Sequence, residues 1–82
     1  MRCCICGKEI VDDIHDANNP DPLKDENGKF LSADPNNVCC KECDNNYVTT
    51  YRISLYCGNP KGCREIQERV LELRKEWLNQ NE

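Results

Sequence analysis

Cys63, Ile66, Val70, Leu73 and Trp77 recur at intervals of three and four, so a helix would place them on one face. Arg64, Glu65, Glu68, Arg69, Glu72 and Lys75 fall largely around that stripe, with both signs mixed. The polar face is therefore neither a basic nor an acidic patch. Asn59-Pro60 supplies a start signal, because Asn caps well and Pro is tolerated in the first turn. The pattern predicts a helix over residues 61–79. A single helix of this length is marginal in water, so its stripe must be covered. Ile66 and Val70 lie nearest the cysteines in sequence and are the core candidates. Leu73, Trp77 and Leu78 lie farther out and are the candidates for contact with a partner.

Tyr47, Val48, Tyr51 and Leu55 also follow helical spacing. Against this, Val48, Thr49, Thr50 and Ile53 are β-branched, and Tyr51, Ile53 and Leu55 alternate as in a strand. Helix over residues 41–54 is the reading preferred. Between residues 15 and 38 the chain is polar and rich in turn residues. Asn27-Gly28 predicts a hairpin turn, with Phe30 and Leu31 beginning the return strand. The Pro20, Pro22 and Pro35 neighbourhoods resist regular structure and predict a stiffened surface loop. Lys8-Glu9-Ile10-Val11 is a short strand candidate.

The chain has 82 residues, enough for one small domain. A core of that size rarely supplies more than about 3–5 kcal/mol alone, so a staple is expected. Eight cysteines, about one residue in ten, are the obvious source. They form two tight clusters, Cys3-Cys4-Ile5-Cys6 and Cys39-Cys40-Lys41-Glu42-Cys43, followed by Cys57 and Cys63. Residues 1–20 hold no apolar run of signal-peptide length, which makes a reducing cytoplasm the expected compartment. Thiols clustered in such a compartment point to metal rather than disulfides.

Each cluster contains a C-x-x-C, the spacing with which one turn offers two thiolates to one ion. Cys3, Cys6, Cys40 and Cys43 are the preferred ligands of a structural Zn²⁺, although Cys4 or Cys39 could replace its neighbour. Gly7, directly after Cys6, suits a knuckle because it tolerates positive φ. Four thiolates fill a tetrahedral zinc site and leave no open position, which makes it structural rather than catalytic. A second zinc held by Cys4, Cys39, Cys57 and Cys63 competes with a packing role for Cys63 and with a redox pair.

Other chemistry is poorly provided for. His15 is the only histidine, too few for a metal-activated nuclease site. Asp12, Asp13, Asp16, Asp21 and Asp25 suggest calcium, but Asp25-Glu26-Asn27-Gly28 lacks the leading Asp and flanking helices of a calcium loop. No phosphate loop, dinucleotide fingerprint or nucleophile elbow is present. The net charge of −4 disfavours nucleic acid and anionic membrane surfaces, and no stretch is apolar enough to span a bilayer.

The pattern resembles a family of small zinc-finger proteins known mostly from bacteriophage and prophage sequences. The residues that carry the likeness are Cys3, Cys6, Gly7, Lys8, Glu9 and Ile10, then Asn19-Pro20-Asp21-Pro22-Leu23 and Gly28-Lys29. They continue with Cys39-Cys40, Cys43, Val48 and Arg52, so the likeness covers about residues 3–52. Phe30 to Val38 is an insertion, and Asp44 stands where Asn is commoner. The resemblance implies a treble-clef-like α+β fold, with the first pair in a knuckle and the second at a helix N-terminus. That gives a zinc module over residues 1–56 with the helix of residues 57–82 packed on it, together one domain.

The family carries no general activity with it. The expected function is a noncatalytic zinc module that binds another protein, with a bacterial host factor as the partner class implied by the resemblance. The alternative is a nucleic-acid-binding finger that uses Arg52, Lys61, Arg64, Arg69 and Arg74 with Tyr47, Tyr51 and Tyr56.

Overall fold

The computed structural model describes residues 1–11 and 17–80, in the order of a 3₁₀ turn, Leu31–Ala33, and three α-helices. These are α1 (Lys41–Cys43), α2 (Thr49–Tyr56) and α3 (Pro60–Gln80), with a π turn over Asp44–Val48 joining α1 to α2. The readings made of His15, Asp12, Asp13 and Asp16 lie outside the described residues.

The α3 helix begins as its sequence dictates. The Asn59 side-chain oxygen accepts the Gly62 amide at 3.0 Å, satisfying one of the donors a helix start leaves open, and Pro60 occupies the first turn. Val70 is fully buried and Cys63 nearly so, with Ile66 and Leu73 packed against the core from either side. A polar residue on the same face completes the docking. The Gln67 amide donates to Lys24 O at 2.8 Å and accepts from Lys24 N at 2.9 Å. It thus pairs with a loop backbone as a neighbouring strand would, and leaves neither group of Lys24 unsatisfied.

Residues 41–56 are helical throughout, two residues longer than predicted, but not of one kind. At the π turn the Thr49 amide reaches back five residues to Asp44 O. The Thr50 hydroxyl donates to Asn46 O at 2.9 Å and Asn45 O at 3.3 Å, tying off carbonyls near the shifted ladder. Val48 is fully buried, and Tyr47 and Tyr51 pack beside it. No residue of α2 itself is buried.

The strands fare differently. Among the described residues, β pairing is confined to isolated bridges: Arg2 with Glu9, Cys3 with Val38, Asn18 with Cys39, and Lys24 with Phe30. The strand expected over Lys8–Val11 is reduced to the Glu9 bridge and the Ile10 amide on Met1 O at 2.7 Å. The Asn27-Gly28 turn does form. Gly28 N–H reaches Asp25 O at 3.1 Å, Gly28 has φ +79°, and Asp25 N–H closes onto Lys29 O at 2.8 Å. This is a three-residue loop ending in a left-handed glycine rather than a two-residue turn. The Asp25 carboxylate selects it by accepting the Asn27 and Lys29 amides at 2.9 and 3.0 Å.

No return strand follows Phe30. Leu31 turns inward, almost fully buried, and starts the 3₁₀ turn. Pro35 lies just beyond, and its missing amide would interrupt any longer ladder.

The Asn19-Pro20-Asp21-Pro22-Leu23 element is a structural wedge. Pro20 and Leu23 are fully buried, Asn19 accepts the Asp21 amide at 3.0 Å, and Arg52 donates twice to Asp21 O at 2.8 and 3.1 Å. Leu23 joins Ile5, Ile10, Leu31, Val48 and Val70 in one cluster with Cys3, Cys4, Cys39, Cys40 and Cys43, so five of its eleven buried residues are cysteine. A core of this composition depends on what its thiols do.

Candidate metal centre

The first cysteine turn is closed by its backbone. The Gly7 amide donates to Cys3 O at 2.9 Å and the Cys3 amide to Lys8 O at 2.8 Å, while Gly7 takes φ +75°. This is a knuckle in which the Ile5 and Cys6 amides point at Cys3 Sγ, at 3.4 and 3.5 Å. The second cysteine pair opens the helical run. Cys40 is the N-cap of α1, with extended backbone, and its sulfur accepts the Cys43 amide at 3.5 Å. The Cys4 amide on Val38 O at 2.8 Å and the Cys3–Val38 bridge hold one turn against the other.

The result brings Cys3, Cys6, Cys40 and Cys43 together, all four sulfurs within 4.8 Å of one another and Cys6 Sγ 3.9 Å from Cys40 Sγ. Four thiolates at about 2.3 Å from a tetrahedral ion would have edges of roughly 3.8 Å, so the cage needs only slight contraction to hold one. These four cysteines could therefore hold a metal ion.

Proton placement leads to the same donor chemistry. Cys43 donates to the Cys3 sulfur, which holds Cys3 well below the ordinary thiol range with help from the surrounding amides. The same bond holds Cys43 far above it. Burial pushes Cys6 up to about 11. Burial and the neighbouring Cys3 charge thus oppose ionisation of Cys6 and Cys43. A cation is what allows the remaining thiols to ionise, and its binding must release protons.

The other four cysteines do not form a second centre. Among the described residues no further group of three or more donors converges. Cys4 and Cys39 are buried beside the cage, and burial pushes the Cys4 thiol up to about 12 and Cys39 higher. Cys57 is exposed at the end of α2, whereas Cys63 is buried with its sulfur 3.8 Å from Tyr51 O. The second site proposed for Cys4, Cys39, Cys57 and Cys63 is corrected accordingly: the turn over Gly58-Asn59 carries Cys57 outward, and α3 carries Cys63 into the core.

Leu73, Trp77 and Leu78 also stand elsewhere than their distance along the chain suggests. Leu73 packs on the core, and all three are half-buried. Trp77 lies on the knuckle. A Cβ at Gly7 would come within 2.5 Å of Trp77 Cγ and 2.7 Å of Trp77 Cβ. Since Trp77 Cβ is tied to the helix backbone, no side-chain rotation clears that overlap. Gly7 is therefore required twice, for its positive φ and for the indole above it.

Gly7→Ala is expected to cost about 2–4 kcal/mol, combining left-handed strain with overpacking. Chemical denaturation of the metal-loaded protein would measure it. A loss below about 0.5 kcal/mol, the level of a neutral surface change, would show that Trp77 does not sit on the knuckle.

Arg74 is the second residue of α3 that reaches the knuckle. Its guanidinium donates to Cys4 O inside the knuckle and grips Glu26 through Nε–Oε2 at 2.8 Å and Nη2–Oε1 at 3.1 Å. The arginine side chain is only 11% exposed and Glu26 46%. The pair lowers the Glu26 carboxyl below its usual range. One signal was available in the sequence. Gln67 and Arg74 flank Val70 at three and four residues, so both lie on the apolar face, where a long polar side chain needs a partner.

Among the described residues no helix is long and apolar enough to cross a membrane. The chain matches no protein-family model, no curated protein and no solved structure.

Proposed function

We propose that this chain is a noncatalytic module organised by one structural Zn²⁺ at Cys3, Cys6, Cys40 and Cys43, and that it serves to bind another protein. The observation that carries the reading is the four-sulfur cage, with every sulfur within 4.8 Å of the others. An all-thiolate donor set favours zinc among the common divalent ions, and four ligands leave no position for an activated water. The metal would supply the folding free energy that a core built largely from cysteines lacks. A knuckle followed by a helix-capping pair is what a treble-clef-like module requires, with the hairpin abbreviated to bridges. A bacterial host factor is the partner class implied by the phage-type resemblance, and a reducing cytoplasm is the compartment that suits unpaired thiols.

Elemental analysis of the purified chain is expected to give one zinc per molecule. Stripping with a strong chelator should collapse the dispersed amide spectrum. Acidification should release the metal as protons reclaim the thiolates, so retention is complete at neutral pH and fails as pH falls. A metal-free chain with an unchanged dispersed spectrum would refute the proposal, and iron in place of zinc would refute the metal assignment. Two zinc ions, one of them lost in Cys57→Ser, would restore the two-site arrangement.

A further inference from the structure

Beyond Tyr51, which packs on the core, the α2 helix keeps its apolar residues outside. Ile53, Leu55 and Tyr56 are 56%, 52% and 91% exposed. Leu55 is shared by two adjoining clefts, one walled by Pro22, Arg52 and Tyr56, the other by Gly58, Pro60 and Cys63. An apolar surface thus runs from the proline-rich loop across α2 to the start of α3.

Charge on this stretch runs against the rest of the chain. Residues 45–64 carry Arg52, Lys61 and Arg64 and no carboxylate, within a protein of net charge −4. Subtracting those three cations leaves −7 on the remainder. Among the described residues none of the three is ion-paired. Asp21, which lines the same cleft as Arg52, accepts the Ser32 hydroxyl at 3.0 Å with its carboxylate and meets Arg52 only through its backbone oxygen.

We propose that this face binds an acidic amphipathic segment of another protein, its apolar side chains over Leu55 and Tyr56 and its carboxylates toward Arg52, Lys61 and Arg64. The inference rests on the reading of the chain as a protein-binding module and locates that activity on α2, away from the distal stripe of α3. Complementary charge on a rim around an apolar centre is the ordinary construction of such a surface.

Two other occupants fit less well. Single-stranded nucleic acid stacks on aromatic rings, but Tyr47 and Tyr51 pack against the core and leave Tyr56 as the exposed ring of α2. A long polyanion would also meet the −7 of the remaining surface. A second copy would set Arg52, Lys61 and Arg64 against like charges across a two-fold axis.

The test is selection of random displayed peptides on the zinc-loaded full chain. Peptides with net negative charge and several large apolar residues are expected to be enriched. Their affinity should fall at least about tenfold for the double variant Leu55→Ser, Tyr56→Ser, whose side chains are exposed, with zinc content unchanged. It should also weaken with salt and with Lys61→Glu plus Arg64→Glu.

Enrichment of basic or neutral peptides, or of acidic ones that bind the double variant equally well, would overturn the α2 assignment while leaving a protein-binding role intact. Failure to enrich any peptide would overturn both. Tighter binding of an oligothymidylate than of any selected peptide would assign the face to nucleic acid. Concentration-dependent dimerisation, lost in the double variant, would assign it to a second copy.

Discussion

Cys43→Ser is expected to leave the chain unable to retain zinc and largely unfolded at neutral pH. Cys43 is buried, its sulfur closes the cage onto Cys3, Cys6 and Cys40, and its amide caps back onto Cys40. A serine hydroxyl is a far weaker ligand for zinc and would leave a three-thiolate site. Structural zinc contributes on the order of 10–16 kcal/mol of apparent binding free energy in small fingers. A domain of this kind has a total stability of about 5–15 kcal/mol, so losing most of the zinc term exceeds the margin. Cys57→Ser should change stability by no more than about 0.5 kcal/mol, since that thiol is exposed. Zinc titration with a chromogenic chelator and amide spectra of both variants make the comparison. Equal zinc retention in the two would remove Cys43 from the ligand set.

Truncation after Leu71 should be nearly as damaging, although it removes no cysteine. It deletes Leu73 from the core margin, Trp77 from above Gly7, and the Arg74 clamp on Cys4 O and Glu26. Removing a large apolar side chain from a packed site costs about 2–5 kcal/mol. Removing one partner of a mostly buried ion pair costs about 3–5 kcal/mol, and less here because Glu26 is half in water. Taken together these losses approach the whole stability of the domain. The truncated chain should lose zinc to a chelator much faster than the full chain.

Trp77→Ala and Arg74→Ala should each reproduce part of that effect while leaving a folded protein on which the exchange rate can be measured. An unchanged zinc off-rate in both would reduce the end of α3 to a solvated appendage. It would then be free for the partner contact first expected of Leu73, Trp77 and Leu78.

Local chemistry carried a good part of this protein into view. The C-x-x-C spacing followed by Gly7 dictates a knuckle, because only a tight turn with positive φ lets amides face the first sulfur. Asn59-Pro60 dictates the start of α3, and the intervals among Cys63, Ile66 and Val70 dictate which face is buried. Each follows from residues within a few positions of one another. Spacing favours Cys3 and Cys40 without excluding Cys4 or Cys39, and the sorting of eight similar thiols into four that converge and four that do not was completed by the fold. What separates them is the Cys3–Val38 bridge, the capping geometry of Cys40 and the outward turn at Gly58.

The hairpin was legible only as a turn. A strand is stable only when its partner and its buried face are both in place, and Leu31 had a better use in the core. The role of α3's far end was least visible of all. Gly7 and Trp77 are 70 positions apart, and nothing near either one announces the other. Sequence distance suggested a free end, but a helix of 21 residues is about 30 Å long and can lie back across a molecule whose longest dimension is 34 Å. Local order therefore lay within the reach of the sequence, whereas closure of the cysteine cage by a helix from the other end belonged to the tertiary structure, since contacts between distant segments exist only once the chain is packed.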